Sequence, residues 1–233
     1  MELDFEVDKI TKSIGTNKSY VIRAGRFTDA QKNAYDKLSK RFIIPFSEEK
    51  ICFNNLFGNS NNNIMEIGFG MGISTAVIAE ASPDKNYLGI EVHKPGIGRL
   101  LWEIENRNLA NIRIIEFDAV QVIEKMIPQA SLDGVHLFFP DPWPKKKHRK
   151  RRLIQRPFTN KLALCLKPGG LLYMATDWED YAMHALEELN ATSGLKNKYS
   201  NFAPPQEWRP KTKFEEKGLA KGHAIKELLF ECY

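Results

Sequence analysis

Apolar positions in this chain fall into short blocks from residue 64 onward. Five runs read as strands: Ile64–Ile67, Tyr87–Glu91, Ile112–Phe117, Gly134–Phe139 and Leu171–Thr176. Between them, stretches near 73–81, 95–107, 119–126, 156–166 and 178–190 carry apolar residues at helical spacing. Strand alternating with helix at this spacing implies βαβ units and a parallel sheet. Leu166-Lys-Pro-Gly-Gly170 reads as a turn before the fifth strand. Residues 223–233 read as one more strand, after a helix-poor segment with Pro204, Pro205 and Pro210. Upstream, Thr28 is placed to cap a helix over Asp29–Lys40, with Ala30, Ala34, Tyr35 and Leu38 on one face. The Asn-rich stretch Asn54–Asn63 reads as a loop. It divides an N-terminal arm with a short helix (1–60) from the main domain (61–233).

Composition narrows the class. A chain of 233 residues holds one sizeable α/β domain, and its 42% hydrophobic and 27% charged content is that of a globular protein. There is no apolar run of membrane-spanning length. The acidic start Met-Glu-Leu-Asp-Phe-Glu lacks the order of a signal peptide. Cys52, Cys165 and Cys232 are far apart, so neither a zinc site nor a disulfide framework is expected, and a reducing cytoplasm fits. The net charge of +5 is unevenly spread: residues 145–152 hold seven Lys or Arg, and without them 27 basic residues face 29 acidic ones. Charge concentrated in one loop is how a footprint for a polyanion looks, although most charge runs are merely solvated surface.

Candidate chemistry gathers at the strand ends. Glu66-Ile-Gly68-Phe-Gly70-Met-Gly72 follows the first strand and opens a helix, which lets a ligand approach the backbone closely. A dinucleotide fingerprint would need a small residue at position 73, where Ile73 stands. Glu91 ends the second strand, placed to accept the ribose hydroxyls of an adenosine, and Asp118 ends the third, near the adenine edge. Either could instead be a surface acid or a helix cap. The fourth strand runs into Phe139-Pro-Asp-Pro-Trp-Pro144. Its three prolines make a stiff loop that would hold Asp141 and Trp143 over the pocket.

At these residues the chain resembles the bacterial tRNA (guanine-N7)-methyltransferase family. The stretches that carry the resemblance are Glu66-Ile-Gly-Phe-Gly-Met-Gly72, Gly89-Ile-Glu-Val-His93, Phe139-Pro-Asp-Pro-Trp-Pro-Lys-Lys146, Ala175-Thr-Asp-Trp178 and Arg209-Pro-Lys-Thr-Lys-Phe-Glu215. The resemblance implies a Rossmann-like class I methyltransferase fold of the α/β class. That fold has a seven-stranded, mostly parallel sheet with one antiparallel strand and helices on both faces. It further implies S-adenosylmethionine as cofactor, no metal, and tRNA as partner, and leaves monomer and homodimer open. By the same resemblance Glu66, Gly68, Gly70, Gly72, Glu91, Asp118 and Asp141 would line the cofactor site, with Asp141 catalytic. Lys145, Asp177, Thr212, Lys213, Phe214 and Glu215 would contact substrate, and Lys147, His148, Arg149, Lys150, Arg151 and Arg152 would touch RNA.

The implied activity is methyl transfer to N7 of the variable-loop guanine, position 46. Guanine N7 carries an in-plane lone pair and has no proton to lose. A general base is therefore not required, and Asp141 is expected to stabilise the positive charge that develops on the purine, with Asp177 as second candidate. Trp143 or Phe214 is a candidate for stacking on a displaced base. Two rival readings remain at this stage: the same fold acting on another RNA or a protein, and a non-catalytic RNA-binding protein.

Overall fold

The computed structural model describes residues 18–21, 25–220 and 222–233, with the side chains of Lys213, Phe214 and Lys217 not among the described parts. Seven strands form one sheet: β1 (Asn62–Ile67), β2 (Lys85–Glu91), β3 (Ile112–Glu116), β4 (Leu132–Phe138), β5 (Leu166–Thr176), β6 (Leu195–Asn197) and β7 (Lys226–Cys232). Their order is β3-β2-β1-β4-β5-β7-β6. All pairs among β1 to β5 are parallel, and β7 runs antiparallel to both β5 and β6. The chain winds outward from β1 in one direction and from β4 in the other. The β1–β4 junction is therefore the switch point, where a crevice opens beyond the carboxyl ends of the strands.

Side-chain alternation sorts each central strand between two cores. Met65, Ile67, Val135, Leu137, Leu172 and Met174 point to the face that also buries Val122, Phe158, Leu162 and Tyr181. Those partners come from α5 (Ala119–Lys125), α6 (Phe158–Cys165) and α7 (Glu179–Asn190). Ile64, Tyr87, Ile112, Phe138 and Tyr173 point to the other face, with Ala34, Ala76, Ile97 and Leu101. These come from α1 (Asp29–Phe42), α3 (Ile73–Ala81) and α4 (Lys94–Asn106).

The helix start at Thr28 is as the sequence predicts. Thr28 and Gln31 form a reciprocal capping box, and α1 runs two residues further than expected, to Phe42. Ile43 then bridges to Ile114 at the sheet edge. Three readings are corrected, and one strand is found where none was read. The Asn-rich stretch is not all loop: it contains α2 (Phe53–Phe57), ended by Gly58 at φ +71°, and the first residues of β1. Lys167–Gly170 is not a turn before β5 but a bulge within it, where the register on β4 shifts and Gly169 adopts φ +80°. The segment around Pro204–Pro210 is followed by a helix, α8 (Lys213–Ala220), and β6 lies in a stretch that shows no apolar run.

Candidate active site

The first strand delivers its chain into three glycines with positive φ, +73° at Gly68, +57° at Gly70 and +67° at Gly72, and α3 starts from the last. A Cβ on Gly68 or Gly70 would meet nothing within 4 Å, so the turn faces open space. Its rear is tightly packed: a Cβ on Gly96 of α4 would lie 1.9 Å from the Gly70 carbonyl oxygen. Gly→Ala inside a helix ordinarily stabilises by about 1 kcal/mol. Gly96→Ala is expected to do the reverse, displacing the turn and lowering cofactor affinity at least tenfold by calorimetry. Unchanged affinity would show that the turn does not shape the site.

Glu91, at the tip of β2, is locked by backbone donors. The Gly70 N–H donates to its Oε2 at 2.8 Å, and the Val92 and His93 N–H groups donate to its Oε1 at 2.7 and 3.0 Å. The carboxylate thus fastens the glycine turn to β2 while standing at the mouth of the crevice. Asp118 caps α5, its Oδ1 accepting from the Gln121 N–H at 3.1 Å. The cap and a ligand role are compatible, because a carboxylate has lone pairs to spare. Tyr20 approaches the same end: burial raises its phenol pKa, and the Asp118 charge adds to the rise.

Glu66 is buried beneath the turn. Burial raises its pKa to about 8, the charge of Glu91 pushes the same way, and the neighbouring Thr75 hydroxyl pulls downward. Thr75 Oγ1 is itself buried and makes no hydrogen bond of ordinary geometry. Near neutral pH Glu66 is therefore largely protonated and poised to ionise when a cation arrives. In the ligand-free protein the fold keeps a proton that the unfolded chain has lost. Stability is accordingly expected to fall as pH rises from about 4.5 to about 8. Glu66→Gln should flatten that slope in urea unfolding across the same range; an unchanged slope would place the proton elsewhere. Open backbone at Gly68 and Gly70, a fixed carboxylate and a buried acid awaiting a cation fit a nucleoside with a cationic tail, which is the chemistry of S-adenosylmethionine.

Beyond β4 the loop is stiffer than its prolines alone make it. Phe139 and Trp143 hold positive φ, +52° and +45°, conformations that cost non-glycine residues about 1 kcal/mol or more each. Asp141 sits exposed between them, near enough to Tyr181 that its charge adds to burial in raising that phenol to about 12. The indole N–H of Trp143 donates to the Ser19 carbonyl at 3.0 Å, and the Arg151 guanidinium covers its ring at 3.8 Å. Trp143 thus packs through one face and one edge.

Lys146–Arg151 forms a 3-10 helix. Its cations divide into two groups. Lys145, Lys146, Lys147 and Lys150 are exposed. Arg149 pairs with Asp180 at 2.8 Å, and Arg151 donates to the carbonyls of Lys18 and Tyr20 at 2.7 Å each. Arg152, expected at the RNA, is 1% exposed here, bound to Asp180 and donating to the Pro142 carbonyl at 3.0 Å. Its charge braces the 139–144 loop from behind. His148 is half-buried, edge-on to Trp143.

The remaining expected substrate contacts lie on and before α8. Asp177, at the tip of β5, is 3.5 Å from His223 and packs so closely on α8 that a Cβ on Gly218 would meet its Oδ2 at 2.9 Å. Thr212 caps α8, its hydroxyl accepting from the Glu215 N–H at 3.1 Å. Glu215 is also tied into the fold. It is buried, and its two oxygens accept from Arg209 at 2.5 and 3.1 Å. Arg209 also donates to Glu227 at 2.7 Å and to the Tyr173 hydroxyl at 2.8 Å. The expected contacts through Lys213 and Phe214 lie outside the described side chains. The sequence reading missed Arg209 as the hub of this network, and Trp208 beside it. Arg209 opens the Arg209–Glu215 motif, which is the signal in the sequence; its two buried acid partners come from different elements and leave none.

No group of His, Cys, Asp or Glu among the described residues is arranged to hold a metal ion. No described helix is long and apolar enough to cross a membrane.

Residues 60–228 match the family model described as "Putative methyltransferase". A tRNA (guanine-N(7)-)-methyltransferase of Paraburkholderia xenovorans (strain LB400) is 51% identical over 213 residues, 91% of this chain and 82% of that protein. One of Nitrosomonas eutropha (strain DSM 101675 / C91 / Nm57) is also 51% identical, over 91% of this chain and 95% of its own. Among solved structures, the 16S rRNA methyltransferase KamB aligns with a TM-score of 0.55 at 14% identity, over 91% of this chain and 98% of that one. An antibiotic-related methyltransferase aligns at 0.51 and 16% identity, over 80% and 96%. At such identities these two show the fold alone: that of class I methyltransferases.

Proposed function

This chain belongs to the tRNA (guanine-N(7)-)-methyltransferase family, and from that premise we propose that it methylates N7 of guanine 46 in the variable loop of tRNA, using S-adenosylmethionine. It is a tRNA guanine-N7 methyltransferase, and the cytoplasm is where we place it. One observation carries the site assignment. Glu66, Glu91, Asp118 and the Asp141 loop converge at the carboxyl edge of β1 to β4, beside the glycine turn and next to an exposed lysine cluster.

When bound, S-adenosylmethionine supplies an electrophilic methyl group on a positively charged sulfur. Glu91 and Asp118 are assigned to the adenosine end. Glu66, whose pKa burial raises to about 8, is assigned to the cationic tail and would release its proton on binding. The glycine turn lets the ligand lie against backbone. Asp141 faces the methyl-transfer centre as a fixed anion. It takes no proton, because N7 has none, and it stabilises the positive charge that methylation leaves on the purine. Lys145, Lys146, Lys147 and Lys150 hold the phosphate backbone, and Asp177 and Thr212 border the substrate side. Alignment of N7 with the methyl group then accounts for much of the remaining rate.

The test is to incubate the full chain with unmodified total tRNA and labelled S-adenosylmethionine, then map the modified base. Label at N7 of guanine 46 is expected. Label on another base, on another RNA or on protein would overturn the proposal.

A further inference from the structure

Among the described residues, one large aromatic ring beside the catalytic loop is both anchored and open. Trp208 is 45% exposed. One side of its indole stacks on His136, with centroids 4.8 Å apart and planes 27° apart. Tyr173 and Phe138 flank it at 5.0 and 6.3 Å. All three partners belong to β4 and β5, and Phe138 is the last residue of β4, three before Asp141. The backbone beside Trp208 is held by Arg209, whose guanidinium is bound to Glu215, Glu227 and Tyr173 and lies 5.9 Å from the Phe139 ring. The indole is therefore fixed against the sheet, and the remainder of its surface opens to solvent at the root of the loop that presents Asp141.

A guanine in the variable loop of folded tRNA is held in tertiary pairing, so it must be displaced before N7 can be reached. A displaced base gains from an aromatic face on which to stack. Of the two candidates read from the sequence, Trp143 is covered on one face by Arg151 and tied to Ser19, and Phe214 lies outside the described side chains. Trp208 has no such cover among the described residues. Its support is also uncharged, since burial, with Lys85 adding, lowers the His136 pKa to about 3.

We propose that Trp208 is the platform on which the displaced guanine stacks, so that the ring anchored on His136 and the carboxylate of Asp141 bracket the methyl acceptor. This rests on the tRNA guanine-N7 reading above and adds a substrate-contacting residue to it. Stacking is indifferent to the identity of the base, so choice of N7 stays with the alignment at Asp141.

The test compares Trp208→Ala, Trp208→Leu and Trp208→Phe in the full chain, with steady-state kinetics on tRNA and calorimetry for S-adenosylmethionine. Loss of one base stack corresponds to about a 5- to 140-fold fall in kcat/KM, or about 1–3 kcal/mol at 1.4 kcal/mol per tenfold. Ala and Leu should both show it, Phe should recover to within a few-fold of wild type, and cofactor affinity should be unchanged in all three. Leu keeps the apolar contact with His136, which separates stacking from mere support of the sheet. A tRNA carrying 2-aminopurine in place of the target guanine should be quenched on binding wild type and remain bright with the Leu variant. Kinetics of the Leu variant within twofold of wild type, or equal quenching by both, would overturn the proposal. If wild type itself fails to methylate guanine N7 in tRNA, the functional reading falls first, and that outcome is read independently of the variants.

Discussion

Asp141→Ala is expected to lower the single-turnover methylation rate at saturating cofactor by about 100-fold or more, the scale of removing one preorganised electrostatic group from a transition state. The physical reason is timing. The substrate base is neutral before transfer and cationic after it, so a fixed anion interacts more strongly with the transition state than with the ground state. Fixation matters as much as charge. Asp141 lies between two non-glycine residues held at positive φ, and Arg152 grips the Pro142 carbonyl from beneath. Asp141→Asn keeps shape and loses charge, and should suffer most of the same loss. A near-normal single-turnover rate for either variant would remove Asp141 from the chemistry and leave Asp177, at the tip of β5, as the carboxylate to test.

The second large effect concerns stability. Arg209→Met should destabilise the protein by about 3–5 kcal/mol, because it strands the buried acids Glu215 and Glu227 without their shared cation. For a chain of this length that corresponds to a fall in Tm of roughly 6–20 °C. Burial alone would raise the Glu215 pKa, yet Arg209 holds it below the usual carboxylate value, which shows how strongly the pair is coupled. The matching control replaces all three groups, Arg209→Met with Glu215→Gln and Glu227→Gln. With no charge left to desolvate, much of the loss should be recovered. Urea unfolding measures both. If Arg209→Met alone costs under 1 kcal/mol, the network is not what holds α8 to the sheet.

Much of this was legible in the sequence, for reasons that also mark its limits. The five parallel strands and their helices announce themselves because each buries a face, and burial writes a period into the chain. The capping box at Thr28 and Gln31 is a local matter and is read as such. The carboxylates at the strand tips were visible because topology places strand ends together. What escaped was whatever depends on partners distant in sequence. β6 is three residues long and exists only because β7 offers it an edge. The bulge at Gly169 looks like a turn until the register with β4 is known. Arg152 sits in a run of cations and reads as surface, and only Asp180, 28 residues away, reveals that it is inside. Trp208 went unremarked because nothing near it in the chain says that His136 lies beneath it.

The placement of β7 between β5 and β6 bears on how the molecule comes together. β6 pairs with β7 alone, although it precedes it by some thirty residues, and the segment before α8 is pinned to β7 by the Ala203–Glu227 bridge and the Arg209–Glu227 pair. The crevice we assign to the cofactor, by contrast, is built wholly from residues that precede β6. During synthesis the half that binds the nucleoside can therefore take shape while the wall that would receive the RNA has nothing to lean on. A nascent chain caught at that stage would hold its small ligand and carry the exposed lysines, yet lack the Trp208–Thr212 side of the substrate wall, which is completed only when β7 slots into the sheet.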